Sequence, residues 1–129
     1  MKDEIMLNAS RILIAGVWIF HGLYSKILNG IPRHRLIVGK ILGDEWERSA
    51  VLAVGIAEVL LGAWVLSRRR PRACAATQTM AIVAMNTLEI LYARDLLISA
   101  LGMVMLNAVF LTIAWWVALR SIQRGSHPA

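Results

Sequence analysis

Glu58 is the only charged residue in the nineteen-residue run SAVLAVGIAEVLLGAWVLS, between Arg48 and Arg68. A carboxylate in such surroundings can hold a hydrogen-bonding ligand, relay a proton, or simply lock its helix against a neighbour. Comparable polar residues interrupt the other apolar runs: His21 and Lys26 in the first, Gln78, Asn86 and Glu89 between Arg72 and Arg94, and Asn107 between Asp95 and Arg120. An ionisable group near the centre of a membrane helix costs about 2.5–3.5 kcal/mol on insertion scales, so something must offset it. Imidazole, ammonium, carboxylate and carboxamide groups converging among apolar side chains suit a ligand with a carbonyl or hydroxyl head. Metal chemistry is not expected. The single cysteine, Cys74, excludes an intrachain disulfide, a CxxC pair and thiolate metal clusters, and His34 and His127 fall in loop and tail without companions. With no second histidine in the apolar runs, bis-histidine haem ligation within one chain is excluded too, so no cofactor is intrinsic and a redox role needs a borrowed one.

The elements that must position these residues follow from hydropathy. Of 129 residues, 58% are apolar and 17% charged, and the mean hydropathy is +0.62, too high for an ordinary soluble domain of this size. The formal charge of +6 would suggest nucleic acid in a soluble chain, but here the charges sit between apolar blocks and read as topology signals, so no nucleic-acid partner is expected. A helix needs about twenty residues to cross the hydrocarbon core. Four stretches qualify, at about 9–28, 49–67, 73–93 and 96–119, if Arg11 snorkels to one surface and Lys26 toward the other. The fold class is therefore all-α, an integral membrane four-helix bundle in one domain over 1–129. The acidic start MKDEIMLNASR and the lack of a small-x-small site after the first run argue against a removed signal peptide. Between Asn29 and Arg48, Arg33, Lys40, Asp44 and Glu47 share a stripe at helical spacing beside Leu36-Ile37-Val38, while Arg35 falls on the wrong face. A short helix lying in the interface and a plain loop over the bundle mouth are both compatible with that pattern.

Lys and Arg number eight on the side holding the termini and the link Arg68-Arg69-Arg70-Pro71-Arg72, and six on the other, which also carries Asp44, Glu45, Glu47 and Asp95. The positive-inside rule then places both termini in the cytoplasm. At about 1.5 Å per residue, Glu58 and Asn107 fall near the midplane and His21 and Asn86 about 4 Å to its outer side, with Lys26 and Glu89 at roughly 9–11 Å in the same half. The polar groups therefore crowd toward the mouth under the first loop, and an outward-opening pocket is expected. Trp18, His21 and Ser25 align on one face, and Gly55, Glu58 and Gly62 on another, where small residues invite close helix packing. Glu58 is expected to be either protonated or hydrogen-bonded to His21, and Lys26 reads as a snorkelling anchor, with an ion pair to Glu89 as the alternative that would explain both charges. Gln78, Asn86 and Asn107 also read as interhelical hydrogen-bond glue. The Arg68 cluster reads as a stop signal.

The run Trp18-Ile19-Phe20-His21-Gly22-Leu23-Tyr24-Ser25-Lys26-Ile27-Leu28, the following Pro32-Arg33-His34 with Ile37-Val38, and Gly55-Ile56-Ala57-Glu58-Val59-Leu60-Leu61-Gly62 resemble the DoxX-like family of small four-helix bacterial inner-membrane proteins. The resemblance carries over the His-Gly-x-x-x-Lys run and the second-span carboxylate, that is His21, Gly22, Lys26 and Glu58. The last two spans are less typical, with Arg94-Asp95 where an Asp-Pro element would stand. The wider superfamily includes a subunit of a thiosulfate:quinone oxidoreductase, and members linked to oxidative stress or to assembly of other membrane proteins, so the resemblance implies a setting rather than a reaction.

Three functions remain open. The first is a small inner-membrane subunit of a redox-associated, quinone-linked system, in which His21 and Glu58 hold the head of a quinone or lipid-like ligand, Trp18 and Tyr24 flank it, and Lys26, Asn86, Glu89 and Asn107 complete the site. The second is a non-catalytic accessory or assembly protein whose lateral face meets another membrane protein or a second copy of the chain. The third and weakest is a proton-coupled small exporter, since neither an acidic first span nor an inverted repeat is present.

Overall fold

The computed structural model describes residues 2–28, 32–96 and 99–125. Helix α1, Lys2–Ile19, opens on Asp3 and Glu4, the charge favoured beside the free N–H groups of a helix start. It continues directly into a π-helical segment, Phe20–Ile27, where the chain takes up the wider i→i+5 pattern seen in the 2.9 Å bond from Leu28 N–H to the Leu23 carbonyl. The first membrane-length helix therefore runs over Lys2–Ile27 and starts earlier than the expected 9–28. Arg11 consequently lies well inside the helix and not near its end, and it is buried rather than snorkelling, because Asn8 and Ser121 supply its guanidinium with hydrogen-bond acceptors.

The segment left open as helix or loop is a helix, α2, over Pro32–Leu42. Pro32 at its first position sacrifices no hydrogen bond, since that N–H would have no partner in the helix. Arg33, Lys40, Asp44 and Glu47 do not belong to one helix, as a single stripe would require. Gly43, at φ +91°, turns the chain sharply where a side chain would be strained, and Asp44 already belongs to α3, Asp44–Ser67. Arg35, on the wrong face for that stripe, instead pairs with Glu47 across the corner.

A tight link leads to α4, Pro71–Tyr92, a short 3-10 turn at Arg94–Leu96 leads on, and α5 spans Ala100–Gly125. That turn is why the fourth span begins at Ala100 and not near residue 96. Among the described residues, four helices are thus long and apolar enough to cross a membrane: Lys2–Ile27, Glu45–Ser67, Pro71–Tyr92 and Ala100–Gln123. Their exposed Leu, Ile, Val and Met side chains, Leu60, Met80, Leu101 and Leu106 among them, present an apolar surface to the bilayer.

Helix α1 packs on α3 and on α5, α5 packs on α4, and α2 lies against α3, α4 and the π-helical segment. Although α3 and α4 share a short link, they pack less closely on each other than α3 does on α1 or α4 on α5. The dry core sits toward the link end. Ile14, Ala15, Trp18, Leu61, Val65, Cys74, Ile82 and Ala114 form one buried cluster there, with Trp18 edge-on to Phe110 at 5.8 Å.

Candidate functional site

The first constraint on the site is a contact between two glycines. A Cβ built on Gly55 would lie 2.8 Å from the Gly22 carbonyl oxygen, and one on Gly22 would strike the Gly55 oxygen, so the π-helical segment and α3 meet backbone to backbone. Gly62 makes a second close approach one turn beyond Glu58, against Ala15 and Ile19. Small residues therefore bracket the carboxylate and draw the helices together, as their shared face predicts.

That contact decides the charge pairing. The Lys26 Cβ lies 3.0 Å from a Cβ position on Gly55, so its ammonium comes down over the next turn of α3 and meets Glu58 Oε1 at 2.7 Å. Both side chains are nearly shielded from solvent. The expected Lys26–Glu89 and Glu58–His21 pairings are thus replaced by Lys26–Glu58. Lys26 is not a snorkelling anchor, and Glu58 Oε2 is buried without a hydrogen-bond partner.

Above this pair lies a cavity of about 750 Å³ between α3 and α4, roofed by α2. The structure brings Trp18, His21, Lys26, Glu58, Asn86, Glu89 and Asn107 to its walls. The two depth layers are in fact parts of one chamber. Asn107 Nδ2 donates to Asn86 Oδ1 at 2.9 Å across the α4–α5 contact, and Trp18 Nε1 donates to Gln78 Oε1 at 2.9 Å, so each of these amides also ties helices together. Trp18 belongs both to the dry core and to the cavity wall, and so forms the floor between them.

Tyr24 is not brought to the cavity. It is 47% exposed and stacks on Phe20 with ring centroids 5.2 Å apart, facing away from the bundle. Nor does Ser25 line the chamber, although its hydroxyl is buried; the wider π-helical turn shifts it out of the phase that aligns Trp18, His21 and Ser25 in a regular helix. Ile37, Val38, Ile41 and Leu42 of α2 form the roof, and Ser99, Gly102 and Met103 at the start of α5 form part of one side. These were not anticipated as wall residues. The i, i+1, i+4 placement of Ile37, Val38 and Ile41 is the signal that carries the roof, once the segment is known to be helical.

The roof is held at its rim by ion pairs. Arg35 joins Glu47 of α3, and Lys40 Nζ meets Asp95 Oδ2 at 2.9 Å in the 3-10 turn. The hydrogen bond from Lys40 holds the Asp95 carboxyl below the usual carboxylate range. Leu42, Leu88 and Leu106, which border the cavity, are exposed on the surface that meets lipid.

Fold and surface together define a small multi-pass α-helical membrane protein with a polar chamber in one half of its bundle. The chain belongs to the DoxX-like family, whose sequence profile matches residues 15–115, a stretch that includes every residue lining the chamber. No curated protein and no solved structure matches it.

Proposed function

We propose that the chamber binds the head of a quinone and that the protein serves as a small subunit of a quinone-linked redox system in the bacterial inner membrane, with both termini in the cytoplasm. The observation that carries this reading is the chamber itself: about 750 Å³, a size that accommodates a drug-like ligand, with an ammonium, an imidazole and two carboxamides on apolar walls. Lys26, His21 and the Asn86–Asn107 pair offer N–H groups to ring carbonyl oxygens, and Met85, Met103, Phe110 and the α2 roof enclose the ring. Exposed leucines at the border offer an isoprenoid tail a path into the bilayer. Electrons would come from a partner protein, because the chain's chemistry is limited to holding the head group and passing protons at Glu58. The arginine-rich link favours the cytoplasmic side, which sets the chamber in the outer leaflet.

The test is purification in mild detergent from native membrane, with mass spectrometry of the organic extract for wild type and Glu58→Gln. A quinone at one per chain, lost in the variant, is the expected result; bulk phospholipid alone in both samples would overturn it.

An accessory or assembly role is the second reading. It is favoured by the Trp18–Gln78 and Asn86–Asn107 bonds, which join helices without any ligand. On that reading Glu58→Gln leaves the co-purifying protein partner unchanged.

A further inference from the structure

The end of the bundle opposite α2 holds a buried positive charge whose hydrogen-bond partners are neutral. Arg11 is 5% exposed, and its guanidinium donates from Nη1 to Asn8 Oδ1 at 2.8 Å and from Nη2 to Ser121 Oγ at 2.7 Å. Ser121 donates its own O–H to the Val117 carbonyl and is neutral, so it cancels no charge. Arg68 Nη2 donates to the same Asn8 oxygen at 3.3 Å. Two guanidinium groups that share one oxygen lie within about 6 Å of each other, where like charges repel.

The arginines surround a recess. Arg11, Arg68, Arg69, Trp64, Gln78 and Ser121 are among its walls, and its free volume of about 20 Å³ is that of one water or one anion oxygen. Local bonds fix the turn that presents Arg68 and Arg69: Trp64 Nε1 donates to the Arg69 carbonyl at 2.8 Å, and Arg69 N–H to Ser67 Oγ at 3.2 Å. Arg68 sits at φ +63° in that turn, a conformation a non-glycine residue adopts only where its surroundings impose it. The wider charge distribution points the same way. This end carries eight basic and two acidic residues, Asp3 and Glu4, whereas the α2 end carries six of each. The Lys26–Glu58, Arg35–Glu47 and Lys40–Asp95 pairs all lie at the α2 end.

We propose that Arg11, Arg68 and Arg69 form a phosphate site which takes the head group of an anionic phospholipid, with one phosphate oxygen seated in the recess. Guanidinium forks match phosphate oxygens, and basic pockets between membrane helices are suited to such heads. Arg72 lies outside the recess wall and provides the control.

The test titrates detergent-purified protein with phosphatidylglycerol, phosphatidylcholine or inorganic phosphate and counts bound molecules by native mass spectrometry. One phosphatidylglycerol should be retained per chain and phosphatidylcholine should not. Arg68→Ala, an exposed change that spares the core, should weaken retention more than tenfold, whereas Arg72→Ala should cost about fivefold or less, the generic attraction of one surface cation. Arg11→Lys keeps the charge but loses the fork, and should also release the lipid. If inorganic phosphate binds in preference to the lipid and is lost in Arg68→Ala, the phosphate site stands with a free anion as its source. Equal retention of both lipids, or equal losses in Arg68→Ala and Arg72→Ala, would overturn the proposal.

Discussion

The two halves of this bundle are made by the same helices and behave as opposites. Toward the link, Ile14, Ala15, Leu61, Val65, Cys74 and Ala114 close around Trp18 beside a water-sized recess. Toward α2, the same α3 and α4 stand apart around about 750 Å³. The difference lies in what each half has to satisfy. Small and branched apolar side chains fill space until helices touch, whereas the pairs Lys26–Glu58 and Asn107–Asn86 line the walls of the α2 half and leave the space between them open.

The strongest way to break this comparison is to unpair the chamber's buried charges. Lys26→Met should lower stability by about 3–5 kcal/mol in detergent unfolding, because it leaves a buried carboxylate without its cation. Lys26→Met combined with Glu58→Leu should recover most of that loss. If the single variant is as stable as wild type, the pair does not hold the open half.

Overpacking the glycine contact comes next. Gly22→Val drives a side chain into the α3 backbone and should cost about 3 kcal/mol, the upper end for an overfilled contact. Gly16→Val, where the added Cβ meets nothing within 4 Å, should change thermal unfolding little and so measures what the close approach demands.

Trp18→Phe sharpens the role of the floor. It keeps the aromatic packing but leaves the buried Gln78 amide oxygen unpaired, with an expected loss of about 1–2 kcal/mol in the same assay.

The smallest effect is at the roof. Lys40 lowers the Asp95 pKa in the folded protein, so this clasp is at full strength above the ordinary aspartate value of about 3.9 and is lost as pH falls through the lower folded value. Protection of the α2 amides from hydrogen exchange, taken relative to the intrinsic rate at each pH, should therefore fall on strong acidification in wild type. In Asp95→Asn the exchange should be faster at neutral pH and lack that acid step; identical profiles for the two would show that the clasp does not hold the roof.

Much of this was legible in the sequence. The spacing of Arg48, Arg68, Arg72 and Arg94 marked two spans to within a few residues, because hydrophobic length is a property of the chain itself. The polar residues of the chamber were legible for a similar reason: charges and amides in apolar runs announce themselves. Tyr24 was misplaced because an aromatic residue in a membrane helix suits lipid as well as ligand, and only the rotation of the helix separates the two. The α2 roof was half visible, since Pro32 and the Leu36-Ile37-Val38 run fit a helix, but the break at Gly43 lay inside an otherwise continuous charge stripe.

By itself, the amino-acid sequence determined an all-α membrane chain of four spans and an excess of positive charge at one end, both of which follow from hydropathy and local spacing, and its first two apolar runs carried the family resemblance. Only the tertiary structure decided that Lys26 meets Glu58, that the two polar layers are one chamber, and that Arg11 and Arg68 converge. Each of those outcomes depends on how far helices rotate and how closely they approach. Here both are set by a glycine contact between residues 22 and 55 and by a π-helical turn that shifts the phase of the side chains.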